Sequence, residues 1–409
     1  MTWAARSVGS LDVTNGPRRG EGAPGPAHRA VSFDRRPLLV FWETTKACPL
    51  ACRHCRADAQ LVGGPDELTT AEGLSLIDDL ATLGSPRPIL VLTGGDCLMR
   101  DDLVELARHA HEAHLPVAVA PSVSPRLSAA TLRALRAVGV KSASLSLDGA
   151  GPASHDTLRG IEGHFGATLE AIDLLVAEGF STQVNTTVMP SNLEELADVA
   201  ATVVERGADV WEVFFLITTG RGTDIPSTTP RENEDVCRFL VDASRYGVTV
   251  RTVEAPFFRR VALERDESRA FVGGPLYRRL SARLAELLGP PRATPRAPSA
   301  ATRDGKGIVF VGANGDVYPS GFLPLALGNV RETRLTEIYQ DHPLLRSIRA
   351  AEFSGPCGRC VHANLCGGSR SRAFATTGDP LASDPGCLLV AEPPVGLGAR
   401  LSPARLDVR

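Results

Sequence analysis

Three cysteines, Cys48, Cys52 and Cys55, lie in the run TTKACPLACRHC, directly after the apolar segment PLLVFW. Their C-x3-C-x2-C spacing constrains this chain more than any other feature. Three thiolates this close can each hold one iron of a cubane 4Fe–4S cluster, whose ordinary site has four cysteines. The missing fourth ligand leaves one iron open to a small molecule. The competing use of clustered thiols is structural zinc, which normally takes four protein ligands. No histidine lies at finger-like spacing; the nearest, His54, sits inside the motif.

The chain has 409 residues, enough for two or more domains. With 22% charged residues and a net charge of −3, it lacks the basic surface of a nucleic-acid binder. No apolar run reaches membrane-spanning length, and residues 1–33 lack the apolar core of a signal peptide. The expectation is a cytoplasmic protein with neither membrane nor nucleic acid as partner. Nine cysteines, an odd number and mostly clustered, read there as metal-binding or catalytic rather than disulfide-forming.

Residues 1–33, rich in Gly, Pro, Arg and Ala, are expected to be disordered. From Pro37 onward, strand-like runs at 38–43, 88–92, 116–120, 142–147, 182–188 and 210–217 alternate with helical apolar spacing at 70–83, 101–114, 129–137, 165–177 and 192–206. Six β–α units in series imply parallel strands with right-handed crossovers, and the spacing fits a doubly wound sheet as well as a barrel. Residues 223–305 form a bridge, with helices predicted at 233–246 and 276–288 and a strand at 248–253. It ends in GPPRATPRAPSAATRDG, a linker or lid. Residues 306–390 open on a hairpin turning at Asn314-Gly315, followed by a helix at 335–350. Residues 391–409 are a tail. The last folded segment carries Cys357, Cys360, Cys366 and Cys387, enough for a complete 4Fe–4S cluster and equally suited to a zinc ribbon.

C-x3-C-x2-C after a first strand is the signature of the radical S-adenosylmethionine (SAM) superfamily, which the chain resembles over about residues 38–390. The resemblance implies a partial (β/α)6 barrel over residues 34–222, with its active site at the C-terminal strand ends. It also implies that SAM chelates the open iron at Cys48, Cys52 and Cys55 and is cleaved to methionine and a 5′-deoxyadenosyl radical, which abstracts hydrogen from substrate. Thr93-Gly94-Gly95-Asp96 resembles the family's GGE motif, whose backbone and acid meet the SAM ammonium group. Ser146 in LSLDGA and Arg159 in HDTLRG are implied contacts of the SAM ribose and carboxylate, and Asn185 in VNTTV can reach SAM from the side it shares with Thr187. The bland readings stand beside these. Strand–Gly-Gly–helix turns are common punctuation, Asp148 can be a turn or cap residue, and Asn185 can satisfy a backbone group. Arg221 in FFLITTGRG is a candidate for a substrate carboxylate, weighed against a surface salt bridge. Cys97 reads as a small buried thiol.

The second cysteine group resembles the SPASM auxiliary-cluster domain, a small cysteine-rich α+β module. Its full pattern has seven cysteines and usually holds two clusters. Here Ser320 stands where the family has its Pro-Cys, and Arg370 where the fourth cysteine of the central run falls. The matching therefore implies two 4Fe–4S clusters in the whole chain, one radical-generating and one auxiliary. The auxiliary cluster would be ligated by Cys357, Cys360, Cys366 and Cys387 and serve as an electron relay or a structural element. CRHCRADA, VNTTV, WEVFFLITTGRG, YPSGFLPLALGNVR and CGGSRSRAFATTGDPLASDP resemble the branch that includes heme d1 and alternative heme synthesis enzymes. That implies a bulky, carboxylate-bearing tetrapyrrole substrate and oxidative modification of its propionates, with a flavodoxin- or ferredoxin-type electron donor. The alternative substrate is a ribosomally made precursor peptide, the usual target of the wider group. A non-catalytic iron–sulfur carrier is the third reading; an open iron and a Gly-Gly-Asp turn argue against it.

Overall fold

The computed structural model describes residues 33–266, 273–291, 293–297 and 301–393. The expected N-terminal disorder and the C-terminal tail fall almost wholly outside them. Seven strands run parallel: β1 (Leu39–Glu43), β2 (Ile89–Thr93), β3 (Val117–Val119), β4 (Ser142–Ser146), β5 (Ser181–Val188), β6 (Val210–Phe215) and β7 (Thr249–Val253). Each pairs with the next in chain order. That order settles the choice left open by spacing, because a doubly wound sheet reverses direction at a switch point and this one does not.

Burial agrees with this winding. Along β5 and β6 buried and half-buried residues alternate strictly, from Thr182 to Val188 and from Val210 to Phe215. The buried set, including Val40, Trp42, Leu90, Leu92, Val184, Trp211 and Val213, packs into one core with helix residues such as Leu76, Leu106, Leu135, Ile172 and Val203. The opposite, half-buried face is more polar and carries Ser144, Ser146, Gln183, Asn185 and Glu212. The helices thus cover one side of the sheet and leave the other as the lining of a half-open barrel.

Four further strands extend the sheet beyond β1: β8 (Arg303–Asp304), β9 (Gly307–Val311), β10 (Asp316–Tyr318) and β11 (Gly328–Asn329). β9 runs parallel to β1, with Val40 opposite Val309, and antiparallel to β10 through the expected hairpin. Gly315 in that turn has φ +86°, a conformation that favours glycine. Strands near the two ends of the sheet meet through side chains. Phe214 of β6 lies 6.0 Å, centroid to centroid, from Phe322 in the β10–β11 connection. A flat sheet could not bring them together, so the sheet curls.

Three details depart from the sequence reading. The strand in the bridging stretch is the seventh parallel strand of the barrel sheet. The Pro-rich stretch, where described, is docked along β7: Val250 N–H donates to the Arg296 carbonyl at 2.9 Å and so covers part of an exposed edge. The single helix expected over 335–350 is two, Leu335–Asp341 and Pro343–Ala350. Pro343 cannot continue a helix but suits a first turn, and the His342 side chain caps the new N-terminus at the Leu344 N–H.

Candidate active site

The cysteine loop follows β1 and is fastened on three sides. Cys48 N–H donates to the Gln60 carbonyl at 2.7 Å, and Gln60 N–H to that of Lys46 at 2.9 Å, closing the loop on itself. Arg53 N–H donates to the Leu158 carbonyl at 2.9 Å, at the end of the helix Pro152–Arg159. Arg221 N–H donates to the Cys55 carbonyl at 3.0 Å. Cys48, Leu50 and Cys52 form a small buried cluster with Cys55 and Ala59 against it, so the three thiols predicted as ligands do come together.

The Gly-Gly turn is required by this loop. Gly95 N–H and Asp96 N–H donate to the Thr45 and Ala47 carbonyls at 2.8 and 2.7 Å. A Cβ on Gly95 would stand 2.5 Å from the Ala47 oxygen and 2.7 Å from that of Lys46, both backbone atoms. The Asp96 carboxylate is turned inward. Its Oδ1 accepts from the Leu98 and Ser122 N–H groups at 3.1 and 3.2 Å, and its Oδ2 from Ser124 Oγ at 2.7 Å. Burial pushes its pKa up. Ser122 in turn reaches the Gly95 carbonyl at 3.1 Å and lies 3.5 Å from Cys48 Sγ. Sequence reasoning missed Ser122 and Ser124, which no local motif marks.

Arg159 is committed more deeply than its expected role implied. Nη2 pairs with the buried carboxylate of Asp148, and Nη1 lies 3.6 Å from Cys52 Sγ; only Nε is left without a partner. Asp148 also accepts from the Thr187 N–H at 2.6 Å and sits 3.5 Å from His54 Nε2. Burial pushes His54 down to about 4, so it is neutral at neutral pH. Ser146 and Asn185 are neighbours across β4 and β5, both on the half-buried inner face. Asn185 Oδ1 accepts from Gln183 Nε2 at 2.8 Å. Arg221 lies against the cysteine loop; Nη1 is 3.4 Å from the Ala59 carbonyl, while Nε and Nη2 are buried without partners.

The second cysteine set is held the same way. Cys357, Cys360 and Cys366 each accept a backbone N–H on sulfur at 3.4 Å, from Asp384, His362 and Gly368. Burial pushes Cys366 to about 11 and Cys387 to about 12. These thiols stay protonated at neutral pH unless a metal displaces the proton. Among the described residues no three His, Cys, Asp or Glu side chains converge on one ion. Ligands of a cluster bind separate irons and need not converge so tightly. Both sets therefore fit iron–sulfur ligation: clustered thiols, with N–H···S bonds of the kind that tune such clusters.

Ser320 and Arg370, expected from the resemblance to stand at cysteine positions, are hydrogen-bonded within the fold. Ser320 Oγ lies 3.2 Å from Ser371 Oγ, which contacts Glu254 Oε1 at 3.0 Å and Asp304 Oδ2 at 2.9 Å. Arg370 is fully buried. It donates to the Gly368, Pro380 and Ala382 carbonyls and stacks 4.3 Å over Phe353. Cys97 and Cys237 are fully buried in the apolar core and far from thiolate character.

The radical SAM superfamily profile matches residues 42–203, and that of SPASM, an iron–sulfur cluster-binding domain, matches 303–361. An AdoMet-dependent heme synthase of Methanosarcina barkeri is 34% identical over 360 residues, 88% of this chain and 98% of that protein. The chain belongs to the radical SAM superfamily. A second relative, the AdoMet-dependent heme synthase of Oleidesulfovibrio alaskensis, is 33% identical across 85% of this chain and 86% of its own. Among solved structures, native anSMEcpe with bound AdoMet (SAM) superposes with a TM-score of 0.60 at 17% identity, covering 85% of this chain and 93% of that one. The protein is thus a radical SAM enzyme with a C-terminal SPASM domain, and its cofactors are SAM and iron–sulfur clusters. No described helix is long and apolar enough to cross a membrane.

In this radical SAM enzyme, Gly95→Ala should push the cysteine loop away from β2. The expected cost is about 1–3 kcal/mol of stability, as for other overpacked sites, with reduced 5′-deoxyadenosine formation. Thermal melting and a SAM-cleavage assay check both. A variant that melts and cleaves like the parent would mean the loop yields freely.

Proposed function

We propose that the enzyme carries two 4Fe–4S clusters, one on Cys48, Cys52 and Cys55 and one on Cys357, Cys360, Cys366 and Cys387, and that it oxidatively decarboxylates propionate side chains of an iron tetrapyrrole. Gly94, Gly95, Asp96, Ser146, Arg159 and Asn185 would form the SAM pocket. The two relatives described above are heme synthases by name. The observation that carries the reading in this chain is Arg221. Its buried, unpartnered Nε and Nη2 form the side-on fork that grips a carboxylate through two parallel hydrogen bonds. The inner face of β6 offers the flat aromatic surface of Phe214, 6.0 Å from Phe322, and Arg56 of the cysteine loop stacks 4.3 Å over Phe310.

When bound and reduced, the first cluster and SAM supply a 5′-deoxyadenosyl radical, chemistry that belongs to the cofactor. Arg221 would hold the carboxylate so that the C–H β to it, on the carbon joined to the macrocycle, faces the adenosyl group. From that carbon the propionate would lose one hydrogen atom, and then carbon dioxide and one electron to a one-electron acceptor, leaving a vinyl group. A flavodoxin- or ferredoxin-type donor in a reducing cytoplasm would supply the priming electron.

The test is turnover of an iron porphyrin bearing propionates, against a candidate precursor peptide, followed by mass spectrometry and 5′-deoxyadenosine yield. Vinyl product from the porphyrin is expected. Arg221→Ala should raise KM about ten- to 150-fold, the worth of a charge-assisted hydrogen bond of about 1.5–3 kcal/mol, and should uncouple SAM cleavage from product. Arg221→Lys should recover only part, because lysine has no fork. Turnover of the peptide alone would move the enzyme to the maturase class.

A further inference from the structure

The strand register aligns four inner-face residues into one row. Ser146 is opposite Asn185, Asn185 opposite Glu212, and Glu212 opposite Arg251. Residues opposite one another across parallel strands lie on the same face. The row therefore runs from β4, where Ser146 and Asn185 are assigned to SAM, to Arg251 on β7, the last strand of the sheet. Three interstrand steps of about 4.8 Å make the row about 14 Å long.

The members differ in what they already hold. Asn185 and Glu212 are tied together by Gln183, whose Nε2 donates to Asn185 Oδ1 and to Glu212 Oε2, each at 2.8 Å. Arg251 is exposed, and among the described residues its side chain makes no hydrogen bond and no ion pair. Glu212 lies opposite it across the strands and feels its charge, and the Gln183 amide already occupies one of that carboxylate's oxygens. Two residues beyond Glu212 on the same face stands Phe214, packed towards Phe322. A permanent cation at the rim of an apolar aromatic wall, with its donors uncommitted, matches a flat apolar ligand that ends in an anion.

We propose that Arg251 is a second carboxylate anchor, one that grips a carboxylate remote from the reacting one. The proposal rests on the tetrapyrrole reading. The reacting side chain must lie near SAM and hence near the Ser146 end of the row. Arg251, about 14 Å along it, holds the opposite side of the same rigid substrate. Arg221 and Arg251 together would fix the substrate's rotation about its own axis and so choose which side chain meets the radical. This makes Arg251 a specificity-determining residue outside the chemistry itself.

The experiment is an absorbance titration of the cluster-loaded, unreduced enzyme. The ligands are an iron porphyrin with free propionates and its methyl ester, with the parent, Arg251→Gln and Arg251→Lys compared. The parent should prefer the free acid. Arg251→Gln should lose about tenfold in affinity for the acid and none for the ester. Arg251→Lys should fall between, keeping charge without the fork. Turnover should then give a broader mixture of side chains modified by Arg251→Gln. Equal acid affinity in the parent and Arg251→Gln would overturn the anchor while leaving the tetrapyrrole reading intact. If Arg251 serves only to balance Glu212, the variants will shift melting temperature without separating acid from ester. A parent that binds neither porphyrin removes the tetrapyrrole reading, and the anchor falls with it.

Discussion

Replacing Cys48, Cys52 and Cys55 together by alanine should abolish SAM cleavage outright and cut iron from about eight to about four per chain. The three thiols sit in one loop whose backbone bonds to Lys46, Gln60 and Leu158 do not involve sulfur, so the fold should persist. The retained iron should resist SAM, because Cys357, Cys360, Cys366 and Cys387 leave no open position. Iron analysis, the EPR spectrum of the reduced protein with and without SAM, and 5′-deoxyadenosine yield test this together. About twelve irons in the parent would show a third cluster despite Ser320 and Arg370. Zinc in the second site would leave the radical chemistry standing and remove the electron-relay role.

Arg159→Ala should be the most damaging single substitution outside the cysteines. It strips the partner from a carboxylate that is 1% exposed, and breaking a buried pair in this way costs about 3–5 kcal/mol. It also takes the guanidinium away from Cys52. The pH dependence provides an internal check. Burial pushes the Asp148 carboxyl up, but Arg159, His54 and the Thr187 N–H outweigh it and hold it at about 2. A carboxylate with a depressed folded pKa stabilises the fold above its unfolded value, about 3.9, and that stability is lost as pH falls towards about 2. In Arg159→Ala the folded pKa of Asp148 rises, so the deficit against the parent should be largest above about pH 4 and narrow as pH falls towards 2, flattening the acid limb. Denaturant unfolding across pH 2–7 measures it. A parallel downward shift at every pH, with no change in the acid limb, would mean that Asp148 is held by its other partners.

Much of this was readable in the chain, and the unread part has a common cause. The strands of the first six units lie within a residue or two of their expected places, because a strand buried on one face must alternate and a helix on a sheet must repeat every three to four residues. The Cys48, Cys52, Cys55 set and the run Cys357–Cys366 stand out by local spacing, whereas Cys387 lies beyond the helix Arg370–Thr377. What escaped depends on register and tertiary neighbours. Asp148 and Arg159 lie within one β–α turn, yet nothing in their spacing says that the arginine also leans on Cys52. Ser146, Asn185, Glu212 and Arg251 sit on four different strands, and only pairing turns them into a row. β7 was visible as a strand and invisible as a member of the barrel sheet. The break at Pro343 is the exception. It was written in the sequence, since a proline at that position starts a helix more readily than it continues one.

The pairing of β9 with β1 has a consequence for the order of events during synthesis. β1 leaves the ribosome first and leads directly into the Cys48 loop, yet one of its edges meets a partner only when Gly307–Val311 has been made. Until then a nascent chain presents β1 as an open edge, a template for pairing with other chains. Loop closure over so long a separation is slow relative to local β–α pairing. Insertion of iron at Cys48, Cys52 and Cys55 would thus be timed by the arrival of the last quarter of the polypeptide. A stop codon placed before β9 should send the product to inclusion bodies instead of yielding a soluble half-enzyme.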